Sequence, residues 1–174
     1  YSLFFGGDYR HVLETMVRVD YNHPSVILYS SGNEIMDLAT DKGYELCAEM
    51  TAYLHDLDAT RCVTNAVNTF LAAGNRLLEI AAQISGDSPE RLAQMDVNQY
   101  IAEHGVSMEQ VAAHETITHM LTYLDGAMDV LGYNYMPERY EADSANHPHR
   151  IILGTETHAP RIADSWRMMQ AHAN

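Results

Sequence analysis

The feature that most constrains this chain is a set of four short, nearly continuous apolar runs spaced by segments of helical period. Val26-Ile27-Leu28-Tyr29, the stretch from Arg61 to Val67, Asp129-Val130-Leu131-Gly132-Tyr133 and Ile151-Ile152-Leu153-Gly154 read as strands buried on both faces, as in a parallel sheet. The intervening segments carry apolar residues at helical spacing. Asp8 to Asp20 presents Val12, Leu13, Met16 and Val17, with Asp8 as N-cap and Glu14 four residues before Arg18. Thr40 to Leu57 presents Tyr44, Cys47, Met50 and Leu54, while Asn22-His23-Pro24-Ser25 makes a turn in which Pro24 forbids helix continuation. Pro137 to Ala145 reads as a short helix with proline at its start, and Ala159 to His172 as a last one with Ile162, Trp166 and Met169 on one side. This βαβα alternation predicts an α/β fold with right-handed crossovers.

One segment is too long for a single crossover. Thr69 to Leu124 holds several helix signals: Leu71 to Ile84, the cap and first-turn proline of Ser88-Pro89-Glu90, and the capping box Ser107-Met108-Glu109-Gln110. It reads as a helical insertion over about residues 69–124, expected near the strand rim where ligands bind in such sheets.

Composition narrows the function. With 47% hydrophobic and 20% charged residues, the chain has the mix of a globular domain. Its 24 acidic against 10 basic residues give a formal charge of -14, which repels phosphate backbones and anionic lipid, and no stretch reaches the roughly 18 apolar residues of a membrane span. Neither nucleic acid nor membrane is an expected partner. Cys47 and Cys62 lack metal or disulfide spacing and are expected to be packed thiols.

Polar clusters directly follow three of the strands: Ser30-Ser31-Gly32-Asn33-Glu34, Asn134-Tyr135 and Thr155-Glu156-Thr157-His158. In a parallel sheet all three fall at the carboxyl edge. A carboxylate there can simply cap a helix; two of them, with an amide beside one and a tyrosine nearby, equally fit a paired-carboxylate site. Glycosidic cleavage needs an acid to protonate the leaving oxygen and a carboxylate to trap the oxocarbenium-like carbon, so two glutamates in different environments suffice and no cofactor is expected. Asn65 and Asn68 stand at the end of the second strand, hence on the same rim, where either could touch a sugar. His114-Glu115-Thr116-Ile117-Thr118-His119 resembles a zinc helix only superficially, because its histidines are five apart and do not share the face that the site needs; no metal site is expected. His23 is expected to be a turn residue, and Met16, Met50 and Met120 core filler.

Three separated motifs occur in the order of a known family: Asn22 through Glu34, Leu131-Gly132-Tyr133-Asn134-Tyr135, and Arg150-Ile151-Ile152-Leu153-Gly154-Thr155-Glu156-Thr157. Together they resemble the catalytic barrel of glycoside hydrolase family 2, the β-galactosidase family. The resemblance implies a partial (β/α)8 TIM barrel, about strands four to seven with flanking helices. It implies Glu34 as general acid/base, Glu156 as nucleophile, Asn33 as a ligand of the sugar 2-hydroxyl, and Tyr135 as the hydroxyl supporting the nucleophile, with Tyr133 and Tyr140 as alternative alignments. His158, two residues beyond Glu156, lines either the sugar pocket or solvent. Tyr29 stands where the family often has tryptophan.

The implied activity is a retaining β-glycosidase, most like a β-galactosidase, acting by double displacement. Retention requires carboxyl groups about 5 to 5.5 Å apart. The alternatives are β-glucuronidase, β-mannosidase, or a non-catalytic carbohydrate-binding remnant. A full barrel takes roughly 250 residues, so residues 1–174 are expected to be a fragment of the barrel domain, without its first strands, its last strand or the preceding β-sandwich domains. Open sheet edges and an uncovered apolar inner face then predict poor stability, association and no turnover by the isolated chain. Carbohydrate is the expected partner; oligomeric state is not readable.

Overall fold

A computed structural model describes residues 5–74, 76–88, 103 and 105–171. Its centre is a four-stranded parallel sheet in sequential order: β1 (Leu28–Asn33), β2 (Cys62–Val67), β3 (Val130–Asn134) and β4 (Ile152–Glu156). The two central strands are buried along their whole length except at Cys62, whereas β1 and β4 are not.

One sheet face is packed under helices. α1 (Phe5–Asp20) and α2 (Asp41–Leu57) bring Leu13, Val17, Met50 and Leu54 against Tyr29 and Val63. α4 (Arg76–Ser85), α5 (Met108–Ala113) and α6 (Glu115–Leu124) bring Leu77, Ile80, Val111, Ile117, Leu121 and Leu124 into one core with Val67, Leu131 and Tyr133. Register and alternation put Tyr29, Val63, Val67, Leu131 and Tyr133 on the same side. Sequential strand order with the helices on one side is the winding of a barrel segment, and differs from the doubly wound sheets that carry helices on both faces.

The other face carries Leu28, Ser30, Cys62, Thr64, Ala66, Val130, Gly132, Leu153 and Thr155 by the same alternation. It mixes apolar side chains, Leu28, Val130 and Leu153 among them, with the polar Ser30, Thr64 and Thr155. A Cβ on Gly132 would come within 2.5 Å of the Asn65 carbonyl oxygen and 2.9 Å of Thr155 Cγ2, so glycine is sterically required there.

Several boundaries move from the sequence reading. The turn closed by Val26 N–H to the His23 carbonyl delays β1, leaving Ile27 exposed, and the strand then runs through Ser30-Ser31-Gly32-Asn33 because its backbone pairs with β2 from Leu28 to Asn33. Asp8 lies in the first turn of α1 instead of capping it. Val12 is 60% exposed, while Leu13 and Val17 are buried. Thr40 caps α2 through Gly43 N–H, and Ser107 and Gln110 form the expected capping box. The predicted Leu71–Ile84 helix is two, because Gly74 at φ +50° ends α3 (Thr69–Ala72) before α4 begins. Pro89 and Glu90 lie outside the described residues. A 3-10 turn over Pro137–Arg139 precedes α7 (Tyr140–Asn146), and another over Ala159–Arg161 precedes α8 (Ile162–Gln170). Cys47 is buried, but Cys62 is exposed. His114 caps α6, its Nδ1 accepting from Thr116 N–H.

The described residues of the 69–124 segment pack mainly on the helix side. They reach the strand ends through α3 and through α5, which packs against the Pro137–Arg139 turn. The expected apolar stripe of α8 has no cover among the described residues: Ile162 is 62% exposed and Trp166 60%.

A polar clamp holds the entry to the sheet. The buried Asp58 carboxylate accepts from the Thr60 hydroxyl and N–H, from Arg61 and from the Tyr29 hydroxyl, and Arg61 also donates to the carbonyls of Val26 and Tyr21. These donors, Thr60 foremost, hold the Asp58 carboxyl well below the usual carboxylate range despite its burial. A depressed folded-state value contributes stability that is present above the unfolded value, about 4, and is lost as the pH falls further. Asp58→Asn should therefore lower Tm at pH 7, and thermal unfolding followed by circular dichroism should show the difference narrowing below about pH 4.

Candidate active site

Because the four strands are parallel and in register, their carboxyl ends form one rim. Asn33 is paired with Ala66, Ala66 with Gly132, and Asn134 with Glu156, so Glu34, Asn68, Asn134, Tyr135 and Glu156 arrive at the same level from four strands.

Glu34 and Tyr135 occupy matching positions one residue past β1 and β3. Each has a left-handed backbone, φ 53° at Glu34 and φ 60° at Tyr135, and they are the non-glycine residues with positive φ among the described residues. Each also donates its backbone N–H to the neighbouring strand, Glu34 to the Ala66 carbonyl at 2.8 Å and Tyr135 to the Glu156 carbonyl at 2.9 Å. A left-handed conformation costs a residue with a Cβ roughly 1–2 kcal/mol, and such strain concentrates at functional sites.

The side chains form two adjacent hydrogen-bonded groups, one around Glu34 and one around Glu156. Glu34 Oε1 accepts from Asn68 Nδ2 at 2.8 Å and, more weakly, from Asn134 Nδ2 at 3.4 Å. Asn134, 1% exposed, also donates to Asn33 Oδ1 at 3.0 Å, and its own Oδ1 accepts from the Thr155 hydroxyl at 2.6 Å. The Tyr135 hydroxyl donates to Glu156 Oε2. That bond first, then burial and the charges of Glu156 and Glu34, push the Tyr135 hydroxyl above the ordinary tyrosine value, so it stays protonated and donating at neutral pH. The His158 ring lies 4.7 Å from the Tyr135 ring, tilted by 36°, and is exposed at the edge of the cluster.

Of the residues singled out from the sequence, Glu34, Glu156, Asn33, Tyr135 and His158 come together at this rim. Asn65 does not. Its side chain faces the α2 layer, donating to Ser31 Oγ at 3.2 Å beside a cavity of about 550 Å³ lined also by Leu46, Cys47 and Met50. Strand parity separates it from Asn68, three residues later, which meets Glu34. The tyrosine that reaches Glu156 is Tyr135; Tyr133 points to the opposite face, where its hydroxyl donates to Asp143 at 2.6 Å within a buried cluster held by Arg139. Asn134 and Thr155 had no role assigned from sequence, although their strand-end positions were visible.

A family model described as glycosyl hydrolases family 2, TIM barrel domain, matches residues 7–119. The chain belongs to glycosyl hydrolase family 2. The matched family 2 segment includes Glu34 and Asn68, while Glu156 lies beyond it. Similar solved structures extend over the rest: a glycosyl hydrolase family 2 member from Bacteroides cellulosilyticus is 29% identical with a TM-score of 0.62, covering 98% of this chain and 17% of that one. A second structure of a family 2 member from that organism, from microfluidic crystals, gives the same identity and score over 99% of this chain. The chain thus spans about a sixth of the length of these relatives. A comparison with curated proteins gave no match.

Proposed function

We propose that this chain is the central and later part of the catalytic barrel of a retaining β-glycosidase, most like a β-galactosidase. The observation that carries this reading is that Glu34 and Glu156 stand at one strand-end rim, each held by its own donors, Asn68 and Asn134 on Glu34 and Tyr135 on Glu156, with the Tyr135 hydroxyl close enough to feel both charges. In the first step Glu156 attacks the anomeric carbon through Oε1 while Glu34 gives its proton to the departing oxygen. In the second, Glu34 removes a proton from the water that releases the sugar. Tyr135 anchors Glu156 Oε2, leaving Oε1 for attack, and Asn33 is presented to the sugar 2-hydroxyl, where contacts strengthen towards the transition state.

The uncovered Ile162 and Trp166 on α8, and the partly exposed edge strands β1 and β4, support further barrel strands on either side. Alone, the chain should then be poorly stable, prone to associate and inactive. The formal charge of -14 favours a neutral glycon over a uronic acid, hence galactoside over glucuronide.

The test uses the full-length protein with a panel of aryl β-glycosides. The β-galactoside should be cleaved fastest, and proton NMR should detect the β-anomer as the first-formed sugar; an α-anomer would exclude the double displacement. Tyr135→Phe should retain the fold and lower kcat/KM on the order of 10- to 100-fold, the equivalent of losing one hydrogen bond to a charged group.

A further inference from the structure

The two amides that meet Glu34 are each locked in orientation from behind. Asn68 caps α3: its Oδ1 accepts from Phe70 N–H at 3.0 Å, which turns its Nδ2 outward to Glu34. Asn134 is locked by Thr155, whose hydroxyl occupies Oδ1 at 2.6 Å and turns Nδ2 towards Asn33 and Glu34. An amide nitrogen donates and cannot accept. Among the described residues, the hydrogen bonds to the Glu34 carboxyl all end on Oε1.

Resting on the reading of Glu34 as acid/base, we propose that Asn68 and Asn134 are positioning residues that reserve Oε1 as a permanent acceptor, so that the catalytic proton is carried and delivered by Oε2. A proton on Oε1 would face two N–H groups and cost both bonds. In glycosylation the Oε2–H bond breaks and its proton passes to the glycosidic oxygen. That oxygen keeps the electron pair of the broken C–O bond as Glu156 Oε1 bonds to the anomeric carbon. In the second step the same Oε2, now unprotonated, takes a proton from water. The two asparagines thereby hold one oxygen still through both steps.

Asn68→Asp separates this role from a structural one. The aspartate keeps an oxygen for Phe70 N–H, so the α3 cap survives, but it turns a carboxylate oxygen towards Glu34 in place of a donor. In the full-length protein the basic limb of the kcat/KM profile should move up by about 1 pH unit or more, because a neighbouring negative charge favours the protonated acid. Activated dinitrophenyl glycosides, whose departure needs no proton, should be far less affected in the first step than alkyl glycosides. Thr155→Val, which frees Asn134 to flip, should move the limb in the same direction by less, with Tm close to wild type.

An unmoved limb in both variants, with all substrates slowed alike, overturns the proposal. A failure of the underlying assignment is distinct: Glu34→Ala would then show no dependence on leaving group, whatever Asn68→Asp does.

Discussion

Glu156→Gln in the full-length protein is expected to lower kcat by about 10⁶-fold while leaving ground-state sugar affinity within a few-fold of wild type. The size follows from the role: losing the group that forms the covalent bond removes the reaction path, as the removal of nucleophiles in other covalent enzymes does. Glutamine keeps the shape and one acceptor oxygen for Tyr135, so that hydrogen bond is preserved. Initial rates together with titration of a non-hydrolysed sugar check both parts. A shorter variant, Glu156→Gly, should regain turnover with azide, because the small anion fits the vacated space. Attack from that side on the intact substrate inverts the anomeric carbon and yields the α-glycosyl azide. A binding module would respond differently, with no turnover to lose.

Glu34→Ala should be slowed about 10²- to 10⁴-fold on alkyl glycosides, the range of general acid–base contributions. With a dinitrophenyl leaving group the first step needs no proton and should be nearly unaffected, so the glycosyl-enzyme accumulates, a burst appears and KM falls. Azide should here give the β-glycosyl azide, because it attacks the covalent intermediate from the face that water normally uses. The two variants must therefore give opposite anomers. Pre-steady-state absorbance and NMR of the azide products read this directly; swapped anomers would reverse the assignment of roles, and matching anomers would abolish it.

Much of the architecture was legible because a parallel strand buried on both faces leaves an apolar run, and its crossover helix leaves a period of 3.6. The Ser107–Gln110 capping box could be read from local chemistry alone. The readings that moved were those in which backbone pairing outranks side-chain pattern. β1 takes Ser30, Ser31 and Asn33 into its ladder and leaves the apolar Ile27 outside it. Gly74 divides a helix whose apolar spacing runs through unbroken. Strand parity turns Asn65 to the helix layer, and the residue that meets Glu34 is Asn68. Asn134 shows the same limit, since nothing local tells that its amide reaches a strand two places away.

By itself the sequence determined the alternation of elements, the parallel sense of the sheet and hence the edge at which Glu34 and Glu156 both emerge. These follow from local periodicity and from the rule that parallel strands end on one side. Which amides face Glu34, which tyrosine holds Glu156 and which oxygen of each carboxyl is left free were decided by tertiary structure. Those relations depend on register between strands as much as 100 residues apart, and register is set by backbone hydrogen bonds that no stretch of sequence contains.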